Sequence, residues 1–295
     1  MPSTTRSDLV IDAPDLPPSA VDAFRVACLA HGVRRAGSAA RLLGIEDGAE
    51  TRRIIDALAR YWKCDAALVR ADARLDRYKL LALDMDSTLI TIESIDAIAA
   101  RAGRGAEVAA ITAAAMRGER PDYAASLRER VRMLDGVPAE LLQRVYEDDL
   151  KLSPGAERLI DAARAAGLAT LLVSSGFSFI ADRLRARLAL DASCANELEI
   201  ADGRLTGEVR GPAELGGALV DAAGKARALA AACARLGCPT RAAIAIGDGA
   251  NDLEMMRAAG LSVAYRAKPL VREQASYRID HGGLDTLLAW FDPGS

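Results

Sequence analysis

Two carboxylates, Asp84 and Asp86, stand one residue apart directly after the apolar run 80–83. A short apolar run bounded by polar residues predicts a buried strand of a parallel sheet. In open α/β sheets the ligand site lies just beyond the carboxyl ends of the strands. Two acids held at that edge suit a divalent cation and phosphate chemistry, although Asp-x-Asp-x-Thr alone also fits a simple turn.

Polar residues also follow two later apolar runs, 168–173 and 241–246. They are Ser174, Ser175 and Gly176 after the first run and Asp248, Asn251 and Asp252 after the second. A right-handed doubly wound sheet brings the ends of such strands together. Lys225 falls in the first turn of a predicted helix, where the helix dipole disfavours a cation. An anionic ligand would offset this mismatch, whereas a solvated surface lysine is the plainer alternative.

The succession of elements predicts an α/β fold with a doubly wound, mostly parallel sheet in residues 78–295. From residue 153 onwards, apolar runs and helical patterns alternate as βαβ units do. Residues 90–150 have a helical pattern throughout, which is too long for a simple crossover and predicts a cap over the mouth of the sheet.

Residues 1–77 predict a separate small α+β domain of the type strand–helix–strand–helix–strand. The expected strands are 8–11, 40–45 and 65–69. This pattern resembles half of a ferredoxin-like regulatory domain. It contains no catalytic spacing, so we expect an accessory domain that serves in docking or in forming a homodimer.

Composition excludes several classes of function. The chain has 295 residues, with 38 Lys and Arg against 41 Asp and Glu, and a formal charge of -3. This balance leaves no excess of positive charge of the kind that binds nucleic acid or an anionic membrane. Five scattered cysteines and two histidines argue against a zinc site and suit a reducing compartment. No uncharged stretch has the length of a membrane span, and we expect a cytoplasmic protein.

Four motifs together resemble those of the haloacid dehalogenase-like phosphatases. They are Asp84-Met85-Asp86-Ser87-Thr88, Val173-Ser174-Ser175-Gly176-Phe177, Lys225, and Gly247-Asp248-Gly249-Ala250-Asn251-Asp252. The resemblance covers about residues 78–290. Three cap segments, 91–96, 116–118 and 126–131, are similar to those of the family members that act on phosphoserine. One departure is Ser175, because the family usually has glycine at this position.

The resemblance implies a Mg²⁺-dependent phosphomonoester hydrolase that converts L-phosphoserine to L-serine and phosphate, the last step of serine biosynthesis. It implies that Asp84 is the nucleophile, which forms an aspartyl-phosphate, and that Asp86 is the general acid and base. The implied Mg²⁺ ligands are the side chains of Asp84 and Asp248 and the backbone carbonyl of Asp86.

The same resemblance implies which residues bind the substrate. Those expected at the phosphate are Ser174, Ser175, Lys225 and Asn251, and Asp252 is expected to brace the lysine. Glu93 is expected to bind the substrate ammonium and Arg130 its carboxylate through a bidentate pair. Those expected to line the pocket are Met116, Tyr123 and Phe177.

Two other functions stay open at this stage. One is a related enzyme that acts on another small phosphomonoester or transfers the phosphoryl group to an alcohol. The other is a receiver-like switch, a module that accepts phosphate on an aspartate and signals by a change of shape. Receiver modules are much shorter and have no large cap. For residues 1–77, serine binding as a regulatory module is the alternative to docking.

Overall fold

The computed structural model describes residues 7–292, except positions 118, 120 and 121 and the side chain of Met116. Two sheets organise this part of the chain, one with four strands and one with seven. No helix within it is long and apolar enough to cross a bilayer.

The N-terminal sheet has four antiparallel strands in the order β2-β3-β1-β4, covered on one face by two helices. The strands are β1 (Ser7–Asp12), β2 (Gly32–Ala36), β3 (Ala39–Ile45) and β4 (Asp65–Arg70), and the helices are α1 (Pro18–Ala27) and α2 (Ala49–Trp62). The succession βαββαβ is the complete ferredoxin-like arrangement. Sequence patterning missed β2, because this edge strand carries the polar pair Arg34-Arg35 and lacks an alternating apolar face.

The main sheet confirms the predicted α/β class. Its strand order is β11-β10-β9-β5-β6-β7-β8, and every neighbouring pair is parallel except β7 with β8. The strands are β5 (Leu80–Leu83), β6 (Ala169–Phe177), β7 (Ala192–Ala201), β8 (Arg204–Arg210), β9 (Ala243–Gly247), β10 (Leu261–Tyr265) and β11 (Tyr277–Ile279). Central strands such as β5 and β9 are buried along their whole length, as expected for a sheet covered on both faces.

Helices cover both faces of this sheet and also form the segment inserted after β5. Those of the main fold are α7 (Ala156–Ala165), α8 (Ser178–Leu188), α9 (Ala222–Arg235), α10 (Leu253–Ala258) and α11 (Pro269–Gln274). Those of the inserted segment are α3 (Ser94–Arg101), α4 (Gly105–Met116), α5 (Tyr123–Arg132) and α6 (Glu140–Arg144).

The inserted helical segment leaves and rejoins the main fold at adjacent points. Ile90 and Leu152 form an isolated antiparallel bridge, and the amide of Ser153 donates to the carbonyl of Leu89 (2.9 Å). The β7–β8 hairpin supports the segment from the side, where Leu205 exchanges backbone hydrogen bonds with the turn at 136–137. The cap is therefore attached by two neighbouring chain segments and contacts the hairpin.

The open face of the N-terminal sheet packs on the C-terminal part of the main fold through apolar and polar contacts. The carboxylate of Asp65 accepts hydrogen bonds from the backbone N–H groups of Asp280, His281 and Gly282 at 2.6–3.2 Å. Burial raises the pKa of Asp65, and these three donors act in the opposite direction. A carboxylate that ties down three successive amides fixes this loop to the N-terminal sheet.

Candidate active site

Three central strands end at the same level, which brings their following residues together. In β5, Leu83 is paired with Leu172 of β6 on one side and with Ile246 of β9 on the other. Asp84 therefore lies between the segments that carry Ser174 and Asp248. This is the convergence that the strand-end pattern predicts.

Lys225 lies at the centre of the acidic group and is completely buried. Its Nζ donates to Asp84 Oδ1 at 2.5 Å and to Asp252 Oδ1 at 2.7 Å. Burial acts to lower the lysine pKa, but the charges of Asp252 and Asp84 outweigh it and raise the pKa above its ordinary value. The lysine is thus a fixed cation rather than a solvated surface residue.

Asp252 is held by contacts to both of its oxygens. Besides Lys225 on Oδ1, the amides of Asp248 and Gly249 donate to Oδ2 at 3.1 and 3.0 Å. Gly247 makes this approach possible, because a Cβ at that position would lie 2.4 Å from the Asp252 carboxyl carbon. Asp252 therefore positions Lys225 and the loop after β9. The amide of Lys268 donates to the Asp248 carbonyl (3.0 Å) and fixes this loop from the other side.

The buried acids outnumber the cations that face them. Carboxylate oxygens of Asp84, Asp248 and Asp252 lie within 4.8 Å of one another. Burial and the charge of Asp252 raise the pKa of Asp84 to about 7, against the opposing effect of Lys225. Burial, followed by Asp252 and Asp84, also raises the pKa of Asp248 well above its usual range. An all-oxygen donor set with excess negative charge fits a hard divalent cation.

Asp86 is buried on the cap side of Asp84 and is bound by one residue. The backbone N–H and the hydroxyl of Ser94 donate to its two carboxylate oxygens at 3.1 and 2.9 Å. Burial and the charges of Glu93 and Asp84 raise the Asp86 pKa well above its usual value, against the effect of Ser94. A carboxyl that holds a proton at neutral pH can act as a general acid.

The segment after β6 provides two buried hydroxyls on the opposite side of Asp84. Ser174 accepts a hydrogen bond from the Gly176 amide (2.8 Å), and the Ser175 hydroxyl accepts one from Asn251 Nδ2 (3.3 Å). Ser175 has no positive φ, so the serine carries no left-handed backbone strain. Gly176 is required for close approach, because a Cβ there would lie 2.6 Å from Asp86 Oδ2.

The cap contributes one carboxylate and one guanidinium group to the same pocket. Ser87 donates to Glu93 Oε1 at 2.7 Å, and burial raises the pKa of Glu93. Arg130 is 1 % exposed, and its guanidinium donates to the Ser126 carbonyl (3.2 Å) and to Thr112 Oγ1 (3.1 Å). Its second terminal nitrogen is buried and has no partner in the described part of the chain.

These residues surround a small enclosed space. The residues around it include Asp84, Asp86, Glu93, Arg130, Ser174, Ser175, Asn251, Tyr123 and Phe177. Its volume is about 20 Å³, about enough for one water molecule. This space is too small for a phosphate ester. The side chain of Met116, which was also expected here, lies outside the described part of the structure.

Sequence reasoning assigned no role to three residues that position the site. Thr88 Oγ1 donates to Asp248 Oδ1 (3.3 Å), and Ser94 binds Asp86 as described above. Asn196 is fully buried and joins the Ser175 carbonyl (2.9 Å) to the amide of Val220 (2.8 Å). Asn196 lies in β7, and its sequence neighbours gave no signal that would identify its partners.

The family model, the relatives and the solved structures that match this chain agree on one family. A family model described as haloacid dehalogenase-like hydrolase matches residues 81–257. A phosphoserine phosphatase of Polaromonas sp. is 55 % identical over 217 residues, which are 74 % of this chain and 91 % of that protein. A HAD family hydrolase of Salmonella enterica superposes with a TM-score of 0.86 at 30 % identity, over 99 % of this chain and all of the other. A phosphoserine phosphatase with an analogue of its phospho-aspartyl intermediate superposes with a TM-score of 0.68 at 35 % identity, over 73 % of this chain and 99 % of the other.

Proposed function

This chain belongs to the haloacid dehalogenase-like hydrolases, and we propose that it hydrolyses L-phosphoserine to L-serine and phosphate, the last step of serine biosynthesis. The observation that carries the substrate assignment is the pair Glu93 and Arg130 beside Asp84. A carboxylate and a guanidinium with a free N–H group border the same enclosed pocket. They complement the ammonium and the carboxylate of an amino-acid phosphate ester.

The proposed reaction proceeds in two displacements at phosphorus. An oxygen of Asp84 attacks the phosphorus and forms a P–O bond, while the bond from phosphorus to the serine oxygen breaks. Asp86 gives its proton to the departing serine oxygen. Asp86 then removes a proton from a water molecule, which attacks the aspartyl-phosphate and releases inorganic phosphate with regeneration of the Asp84 carboxylate.

The charges of the pocket are suited to bring two anions together. Lys225 supplies a fixed positive charge next to Asp84. Ser174, Ser175 and Asn251 offer hydrogen-bond donors on the far side, where the phosphate oxygens would lie. Donors fixed before the reaction stabilise developing charge without reorganisation.

Phosphatases of this family generally use a divalent metal ion, and we assign Mg²⁺ to Asp84, Asp248 and the backbone carbonyl of Asp86. Asp252 is a poor ligand because both of its oxygens already accept hydrogen bonds. When bound, the cation would neutralise charge on the phosphate and on the carboxylates. The oxygen-only donor set and the raised pKa values of Asp84 and Asp248 support this assignment.

A substrate panel under Mg²⁺ tests the proposed function. The panel contains L-phosphoserine, L-phosphothreonine, a sugar phosphate and an aryl phosphate, and released inorganic phosphate is measured. We expect the highest kcat/KM for L-phosphoserine, and higher values for both amino-acid esters than for the sugar and aryl phosphates, because only an amino-acid ester uses Glu93 and Arg130 together. Preference for the sugar phosphate, or transfer to an added alcohol in place of phosphate release, would contradict the proposal.

Replacing Glu93 by glutamine is expected to separate amino-acid recognition from the chemistry. Loss of a charge-assisted hydrogen bond to the ammonium corresponds to a decrease in kcat/KM of roughly 10- to 100-fold for L-phosphoserine. Hydrolysis of the aryl phosphate, which has no ammonium, should fall by a smaller factor, because this substrate loses only the effect of the Glu93 charge on the pKa of Asp86. Exposed Glu107→Gln on cap helix α4 is the matched control and should leave both substrates unaffected. Equal losses on both substrates in Glu93→Gln would exclude the ammonium role.

Removal of divalent cations by a chelator is expected to stop turnover reversibly. The buried acids would then repel the phosphate dianion, with Lys225 as the cation that still contacts Asp84. Phosphate release should fall by about 100-fold or more and return when Mg²⁺ is added in excess of the chelator. Undiminished turnover after exhaustive chelation would contradict the metal assignment.

A further inference from the structure

The buried guanidinium of Arg130 belongs to a chain of polar contacts that crosses three cap helices. Arg130 lies on α5, Thr112 on α4 and Asp96 on α3. Arg130 Nη1 donates to Thr112 Oγ1 (3.1 Å), and Thr112 Oγ1 donates to Asp96 Oδ1 (2.6 Å). Thr112 is 2 % exposed. Neither Thr112 nor Asp96 borders the pocket around Asp84, so both reach the substrate site only through other residues.

The direction of these two hydrogen bonds follows from the groups that make them. An arginine N–H can only donate, so the Thr112 oxygen accepts from Arg130 and its own hydrogen is left to donate. A threonine inside a helix commonly donates to the carbonyl four residues earlier, and the Val108 carbonyl lies at 3.1 Å. The Asp96 oxygen is closer, at 2.6 Å, and a carboxylate is the stronger acceptor. The hydroxyl of Thr112 therefore links the cation to the acid.

The intervening hydroxyl leaves one nitrogen of Arg130 available. An arginine and a carboxylate in direct contact often form a two-pronged pair, which uses two N–H groups. Here the guanidinium uses Nε for the Ser126 carbonyl and Nη1 for Thr112, and the buried Nη2 has no partner among the described residues. Burial raises the pKa of Asp96, while the Thr112 hydrogen bond and the charge of Arg130 act to lower it. The cation thus has a nearby counter-charge and still keeps a free donor.

We propose that Thr112 and Asp96 are positioning residues, which hold Arg130 for the carboxylate of the substrate. They would thereby set the preference for an amino-acid phosphate ester over an amino-alcohol phosphate ester. The inference rests on the proposed function, because it takes Arg130 as the group that binds the substrate carboxylate. A long side chain that is already ordered loses less conformational entropy when the ligand binds.

Hydrolysis of L-phosphoserine and of O-phosphoethanolamine tests the role of Thr112. The two esters share the phosphate and the ammonium and differ by the carboxylate. In Thr112→Val we expect kcat/KM for L-phosphoserine to fall roughly 10-fold, at the lower end of the effect of losing a hydrogen bond to a charged group. The value for O-phosphoethanolamine should fall by a much smaller factor. Thr112→Ser keeps the hydroxyl and should retain the wild-type ratio of the two values.

A variant of Asp96 tests the acidic end of the chain of contacts. Asp96→Asn keeps an oxygen for the Thr112 hydroxyl but removes the charge, so it should lower the ratio by a smaller factor than Thr112→Val. Burial and the charge of Asp96 raise the pKa of Glu93. Glu93 faces the ammonium of both esters, so this effect cancels in the ratio. Glu107→Gln, at an exposed acid of α4, is the matched control and should leave the ratio unchanged.

The ratio separates positioning from a general loss of stability. Both esters are measured on the same preparation, so a fraction of unfolded enzyme cancels. In Arg130→Met, which lacks the guanidinium, adding Thr112→Val should not change the ratio further. An unchanged ratio in Thr112→Val alone, or a fall of the same size in the Arg130→Met background, would overturn the role of Thr112 and leave the proposed function intact. A wild-type enzyme without preference for L-phosphoserine over O-phosphoethanolamine would contradict the proposed function and this inference together.

Discussion

The substitution Asp84→Asn is expected to lower kcat for L-phosphoserine by a factor of about 10⁴ or more, the effect of removing an enzyme's nucleophile. The carboxamide that replaces the carboxylate is a far weaker nucleophile and cannot form the acyl phosphate. Its oxygen can still accept a hydrogen bond from Lys225, so the fold should persist. Released phosphate gives the rate, and circular dichroism with thermal unfolding verifies the fold.

A covalent readout makes the Asp84 prediction specific. Wild-type enzyme quenched with acid during turnover should carry phosphate on the peptide that contains Asp84, and the asparagine variant should carry none. Exposed Asp161→Asn on α7 is the matched control and should behave as wild type. Turnover within tenfold of wild type, or phosphate on another peptide, would remove Asp84 from the nucleophile role.

Replacing Lys225 by methionine is expected to affect both activity and stability. Methionine fits the buried channel but leaves Asp84 and Asp252 without their counterion. Breaking a buried ion pair by removal of one partner typically costs about 3–5 kcal/mol of unfolding free energy. Loss of one fixed electrostatic stabiliser lowers kcat by roughly 10²–10³-fold.

Denaturant unfolding and phosphate release measure these two effects separately. Bound Mg²⁺ should reduce the loss of stability, because it neutralises part of the uncompensated carboxylate charge. Lys151→Met, at an exposed lysine where the cap rejoins the main fold, controls for the change of side chain. Near-normal turnover in Lys225→Met would show that the lysine is structural only.

The convergence of Asp84, Ser174 and Asp248 could be predicted from sequence, because parallel strands of a doubly wound sheet end at one edge. The geometry of Asp252 follows less directly, since its approach depends on the missing Cβ of Gly247. Thr88, Ser94 and Asn196 were not predicted as positioning residues. Their contacts depend on side-chain directions that a pattern of apolar and polar residues does not determine.

The contact between the two sheets was also beyond sequence reasoning. Asp65 and its partners at 280–282 are separated by more than 200 residues. Asp8, Arg41 and Asp65 are charged, and each of them alone would be expected to lie at the surface. All three are buried, and the packing of the two sheets gives Arg41 and Asp65 partners in the main fold.

The Asp65 contact has a consequence for any attempt to study the phosphatase unit by truncation. Beyond the tethered amides, Gly282 accepts a hydrogen bond from Arg266 (3.2 Å), and two residues further Lys268 holds the carbonyl of Asp248. Cutting away the first 77 residues would free the amides at one end of this chain of contacts and loosen support for a residue of the reaction centre at the other. A lower activity of the truncated enzyme would therefore not distinguish the loss of these contacts from the loss of regulation by an effector. The point variant Asp65→Asn weakens only the contacts and keeps the rest of the N-terminal domain.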